Sequence, residues 1–405
     1  MSSISPDTAK ALEQQIDSVT TSLQNGVADV DESVRRRLIE AGLRLSLAFE
    51  VPHDTAHRLG TLPLQGSLAY VGINKGIFKL VADAGDKGIS SVDLARETNV
   101  NVILMKRLLR YYQSLGMLSQ TETDSFSPTQ VTENLTTPIC SVGVSFFHQV
   151  LSQSFLAVPQ FLREANYENV LDPSLCAWNI ARQTNEPPWK WLQSHPELAE
   201  ITGQWMAVHR DGLPSFLDVI KFEHEFAREA DDSIPLFVDI GGGFGHQCIA
   251  FRQKYPALPG RVILQDLPEI IAQVESNPLP GLRDSAIETQ AHDFFTPQPV
   301  KGARAYYLRN ILHNFVDEDC RKILGAIKVS MTNNSVILID EIVLSEYRPP
   351  SAATEMDMMM MTTQAARERS EEDWARFLKE SGFSIAKQCK YSHIYQDAVL
   401  VVVPQ

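Results

Sequence analysis

The strongest chemical signal in the sequence is a glycine run, Asp239-Ile240-Gly241-Gly242-Gly243-Phe244-Gly245-His246. It follows a segment that predicts a strand and opens one that predicts a helix. Glycines in such a turn let the backbone approach a ligand and take positive φ. The carboxyl end of a first strand is where α/β sheets bind ligands. Cys248 stands where GxGxxG counted from Gly243 needs its last glycine, and no Lys-Ser/Thr follows as in a phosphate loop. A nucleoside without a polyphosphate therefore fits best. Asp266, in Gln265-Asp266-Leu267-Pro268, ends the next predicted strand. An acid there, about 20 residues past the glycines, suits ribose hydroxyls, and its other reading is a helix N-cap. In His292-Asp293-Phe294-Phe295, Asp293 can bond an adenine amino group while Phe294 covers the ring. Arg309 to Phe315 and Glu341 also fall just past predicted strands, and Glu368 precedes the capping box Ser370-x-x-Asp373. Each alone reads more readily as a loop or cap residue than as a site. Their shared position at strand ends makes them one candidate site.

The elements that must hold these residues are legible in outline. From about Ser233, apolar runs at Leu236–Ile240, Val262–Leu264, Ala305–Leu308, Val336–Ile339 and Val399–Val403 mostly alternate with helical stretches. That alternation predicts a mostly parallel sheet covered on both faces, residues 233–405. Residues 141–232 read as helical and aromatic. Residues 1–140 read as helices followed by a winged helix. Leu12, Ile16, Val19 and Leu23 share one helical face, and Val34 to Phe49 is too apolar for a solvent-facing helix. Such helices need a partner, which predicts a homodimer. In Val102 to Gly116 the expected buried positions are Ile103, Met105, Leu108, Leu109 and Tyr112.

Composition removes several function classes. The 405 residues are 44% hydrophobic and 21% charged, an ordinary globular balance of two to three domains. Lys+Arg 36 against Asp+Glu 50 gives −14, a field that repels phosphate backbones, so no nucleic-acid partner is expected despite the winged helix. No unbroken run approaches the ~20 apolar residues of a membrane helix, and the polar N-terminus lacks a secretory apolar core. The five cysteines are odd in number, scattered and without a CxxC pair, which predicts a reducing, cytoplasmic setting and no structural metal.

Six segments in order resemble the motifs of S-adenosylmethionine-dependent O-methyltransferases of the plant caffeic-acid type, in their fungal secondary-metabolism branch. They are Asp239–Gly243, Asp266–Pro268, His292–Phe295, Leu308–His313, Ile339–Glu341 and Arg367–Ser370. The resemblance runs from about Leu68 onward. It implies a Rossmann-like α/β methyltransferase domain with an N-terminal all-α, winged-helix dimerisation domain. It implies that Gly241 and Gly243 line the cofactor loop, that Asp266 holds the ribose, and that Asp293 and Phe294 meet adenine. Arg309 stands where the family has a basic residue near S-adenosylmethionine. His313 matches the general base, with Glu341 and Glu368 as the acids beside it. Methyl transfer needs positioning and a base, and a neutral imidazole suits that role. No metal is expected. The acceptor is a hydroxylated, largely apolar small molecule, with His148, Met206, Asn314 and Met361 as the candidate substrate contacts. One departure is Asn314-Phe315, where the family usually has Asp, often followed by Trp. The same branch includes pericyclases that bind the methyl donor without using its methyl. His148 resembles a catalytic histidine of that kind, while the retained His313 favours methyl transfer.

Overall fold

The computed structural model describes residues 5–23, 30–210, 212–228 and 230–405, without the side chains of residues 32 and 33. It divides into two compact units, residues 1–152 with 204–209, and residues 153–203 with 210–405.

The first unit opens with helices α1 (Pro6–Leu23), α2 (Glu32–Phe49) and α3 (Pro52–Asn74). Helix α1 buries nothing, and Val19, Leu38, Leu43, Phe49, Leu59 and Leu62 are all more than half exposed. The core lies further on, around Ile77, Phe78, Leu94, Met105, Leu109 and Tyr112. Ser90 caps the helix Ser91–Thr98 by accepting from the Asp93 N–H at 3.1 Å. The helix Val102–Ser114 follows, then the hairpin of β1 (Ser119–Glu122) and β2 (Ser125–Ser127). Ile103 corrects the expectation of burial, being 70% exposed. Met105, Leu108, Leu109 and Tyr112 recur at helical spacing on one face, and Ile103 lies about 200° around from Met105 at 100° per residue.

The helix Pro138–Phe146 continues through a π-helical turn, Phe147–Leu151, into the helix Ser152–Glu164. By length and composition this run is apolar enough to cross a membrane, which qualifies the expectation of no such segment. The sequence count sought unbroken apolar residues, whereas here Ser141 and Ser145 return their hydroxyls to the carbonyls of Thr137 and Ser141. Trp205 stacks on Phe146 with centroids 5.7 Å apart, over Gly143, where a Cβ would lie 2.7 Å from the indole.

The second unit holds β3 (Pro235–Ile240), β4 (Arg261–Asp266), β5 (Ile287–Ala291), β6 (Ala305–Arg309), β7 (Val336–Leu344), β8 (Arg369–Ser370), β9 (Phe383–Lys390) and β10 (Asp397–Pro404). The sheet order is β5-β4-β3-β6-β7-β10-β9, with β8 beside β7. Pairing is parallel from β5 through β7 and antiparallel at β10 and β9. One face packs on Leu312, Ile323, Leu324, Trp374 and Phe377, the other on Phe216, Phe222, Phe251 and Ile271. Both faces are thus dry, which is why β3, β4, β6 and β7 read as continuous apolar runs. Strands β5 and β9 escaped the sequence reading because they form the two edges and are only partly buried. Chain order reverses between β3 and β6, and a crevice at the carboxyl ends of strands at such a reversal is the usual place for a ligand.

Candidate active site

The glycine loop leaves β3 and is tied to the end of β4. The Gly241 and Gly242 N–H groups donate to the Gln265 carbonyl at 2.8 and 3.0 Å, and the Gly243 N–H donates to Asp266 Oδ2 at 2.8 Å. Asp266 Oδ1 accepts from the Leu267 N–H, so its carboxylate braces the loop instead of capping the next helix, whose cap is Leu267. Burial pushes the Asp266 pKa up, against the two backbone N–H groups that favour the charge. Gly241 has φ +68°, and a Cβ there would lie 2.7 Å from Ile311 Cδ1 and 3.5 Å from the Phe294 ring. Gly243 has φ +56° and open space where a Cβ would stand. Asp293 is exposed, with Oδ1 accepting from the Phe295 N–H at 2.9 Å. Open space at Gly243, a braced carboxylate and a half-buried phenyl ring beside Gly241 fit a nucleoside cofactor. Asp239 lies beneath this loop; burial pushes its pKa up to about 7, against a bond from the Cys248 thiol.

The second cluster is built differently. His313 sits on a short 3₁₀ turn, Leu312–Asn314, just past β6. Its Nδ1 is 2.7 Å from Glu368 Oε1 and 3.7 Å from Glu341 Oε2. Glu341 Oε1 accepts the N–H groups of Ile311, Leu312 and His313 at 3.0, 2.8 and 3.4 Å, so one carboxylate on β7 fixes the backbone that carries the imidazole. Arg369, almost wholly buried, donates to the carbonyls of Leu312 and Phe315 and to Asp317, closing the turn from the other side. Glu341 Oε2 and Glu368 Oε2 are buried without a hydrogen-bond partner. Burial disfavours the imidazolium, yet the charges of Glu368 and Glu341 outweigh it and raise His313 to about 9. Burial likewise raises Glu341. The two carboxylates thus favour the imidazolium form of His313. This changes the picture of a neutral imidazole with an ordinary pKa: two carboxylates on one ring retain its proton. The ligand atoms of His313, Glu341 and Glu368 lie within 4.8 Å of one another, a spacing that can also hold a metal ion.

The remaining candidates are distributed. Arg309 ends β6 with Nε 3.9 Å from Asp340 Oδ2, in a buried network where the hydroxyls of Tyr307 and Tyr391 donate to the same carboxylate at 2.5 and 2.7 Å. Asn314 donates to the Asn310 carbonyl at 2.8 Å. Met361 is half-buried on the helix Ser351–Gln364, and none of Met356 and Met358 to Met361 is buried, unlike core packing. His148 and Met206 belong to the first unit: His148 lies in the π turn, stacked on Tyr70 at 4.6 Å, and Met206 is 45% exposed. Arg369 and Asp340, which position the site, were missed. Each is adjacent to a recognised residue, but a buried anchor leaves no spacing signature.

Comparison with known proteins agrees with this geometry. A family profile described as an O-methyltransferase domain matches residues 211–384. The chain is 35% identical over 361 residues to the methyltransferase cfoC of Aspergillus candidus, covering 87% of each. The chain belongs to the fungal S-adenosylmethionine-dependent O-methyltransferases. This O-methyltransferase chain is also 32% identical to the demethylsterigmatocystin 6-O-methyltransferase of Aspergillus parasiticus, covering 92% of the chain and 94% of that relative. It superposes on a solved structure described as a pericyclic reaction enzyme with TM-score 0.87 and 31% identity, over 97% of the chain and all of the other. A second, described as LepI in complex with SAM, gives TM-score 0.86 and 31% identity over 98% and 99%.

Proposed function

We propose that this O-methyltransferase moves a methyl group from S-adenosylmethionine to a hydroxyl of a largely apolar secondary metabolite, with His313 as general base. The 2.7 Å contact between His313 Nδ1 and Glu368 carries the reading, because it commits Nδ1 and leaves Nε2 for the acceptor. When bound, S-adenosylmethionine supplies an electrophilic methyl on a good leaving group. With the donor bound, His313 Nε2 would take the acceptor hydroxyl's proton while the donor supplied the methyl and kept its sulfur as leaving group. To do so, His313 would first shed the proton its acids favour, a loss that a positive charge brought nearby would assist. Gly241, Gly243, Asp266, Asp293 and Phe294 hold the nucleoside, and Arg309 steadies the strand end beside it. For the acceptor, the family resemblance assigns His148, Met206, Asn314 and Met361. Mass spectrometry of the product with a hydroxylated aromatic or pyridone tests this: a gain of one CH₂ with demethylated cofactor is expected.

A homodimer through α1–α3 accounts for their exposed apolar residues, and light scattering at micromolar concentration should return twice 45.3 kDa. All five cysteines are free, in keeping with a reducing, cytoplasmic setting.

A second reading is pericyclic or dehydrating chemistry. It is favoured by the π turn that holds His148 against Tyr70, since π turns mark functional sites, and by the likeness to a pericyclic reaction enzyme. Product isomeric with substrate or lighter by water, with the cofactor unconsumed, would replace methyl transfer by this reading.

A further inference from the structure

We propose that Asp357 is a positioning residue for the base, holding Glu368 by its backbone so that Glu368 presents Oε1 to His313. The proposal deepens the assignment of His313 as base and rests on it. Glu368 has little else to aim it. Its Oε2 is buried without a partner among the described residues, so its one side-chain hydrogen bond there is with His313. Where Oε1 points is therefore set by where the Glu368 backbone sits. That backbone follows a left-handed turn at Ala365 (φ 51°), buried together with Ala366. On the far side it is tied by β8, whose Arg369 and Ser370 pair with Val343 and Leu344. On the near side, the Glu368 N–H donates to Asp357 Oδ1 at 2.9 Å across eleven residues.

Asp357 stands in the methionine-rich helix Ser351–Gln364. It thus joins the helix assigned to the acceptor directly to the partner of the base. A second carboxylate near the charge of Glu368 is electrostatically unfavourable. Burial raises its pKa, the Glu368 N–H lowers it, the Glu368 charge raises it and Arg367 lowers it. A half-buried acid kept in that company is explained by the acceptor it provides.

The test compares Asp357→Ala with Asp357→Asn, whose amide oxygen can still accept the N–H. Two readouts are taken: turnover, and the downfield Nδ1–H proton resonance of His313, assigned by its disappearance in His313→Ala. Asp357→Ala should lower kcat roughly tenfold to a hundredfold with KM for S-adenosylmethionine unchanged. It should also move the resonance upfield and lower the apparent pKa of His313, which Glu341, Glu368 and Arg210 otherwise set. Asp357→Asn should restore both. A merely structural role would lower the melting temperature without moving resonance or pKa. An unchanged resonance in Asp357→Ala, with His313→Ala inactive, overturns the proposal and leaves the base assignment intact. So does an Asn variant as impaired as the Ala variant. Wild-type turnover in His313→Ala would remove the base assignment itself.

Discussion

Two clusters past the carboxyl ends of the neighbouring strands β3 and β6 solve opposite problems. The glycine loop is open: it offers backbone, a bare Cα at Gly243 and a carboxylate already braced by two N–H groups. The His313 cluster is closed: three ionisable groups are buried together, and the turn beneath them is bonded to Glu341 and Arg369. Space recognises a ligand, while buried charge sets a proton affinity. The first must admit an entire nucleoside, and the second has to control one proton.

The largest effect should separate the two. His313→Ala should lower turnover by roughly 10²–10⁴, the usual worth of a placed base, with calorimetric affinity for S-adenosylmethionine near wild type. A comparable loss of affinity would merge the clusters into one. Asp266→Ala should do the reverse. Loss of a hydrogen bond to a charged group costs about 1.5–3 kcal/mol, so affinity should fall tenfold or more while saturated turnover changes little.

What the sequence reveals follows the same contrast. A glycine run must be contiguous to form a turn, so Gly241, Gly243 and Asp266 are visible from spacing alone. Glu341 and Glu368 stand 28 and 55 residues from His313 in sequence, and only the fold brings the three together. Resemblance to the family identified them; no periodicity did. The central strands were readable because both faces are dry, and β5 and β9 were not because edge strands are half wet. Ile103 is apolar yet exposed, because it lies away from the buried helix face of Met105 and Leu109. The proton retained on His313 was illegible, since it depends on distances to two carboxylates.

A pH experiment sharpens the closed cluster. His313 is raised from 6.5 to about 9 on folding. A raised group contributes stability that is complete below its unfolded value and lost as pH rises through its folded one. Stability should therefore fall between about pH 6.5 and 9, by on the order of a few kcal/mol. Denaturant melts should show that slope in the wild type and a flatter one in His313→Gln. Titration of His313 by NMR should give a lower apparent pKa with S-adenosylmethionine bound than with its uncharged demethylated product. Equal values would place the sulfonium charge beyond reach of the base. The smallest expected effect is that of chelation: dialysis against EDTA should leave turnover unchanged, and a loss restored by one divalent ion would recast His313, Glu341 and Glu368 as ligands.

The helix Ser351–Gln364 carries its methionines at partial exposure while its buried residues are Ala353 and Thr362 to Gln364. Exchanges among Met356 and Met358 to Met361 therefore cost the fold little, since each side chain fills no closed space. The anchors of the base are other side chains, Glu341 on β7, Arg369 on β8 and Asp357 between the methionines of this helix. Mutation can thus retailor what the enzyme accepts without disturbing how it removes a proton. That separation makes the acceptor helix the evolvable part of the catalyst, and a library confined to these five positions should yield new acceptor ranges at nearly constant melting temperature.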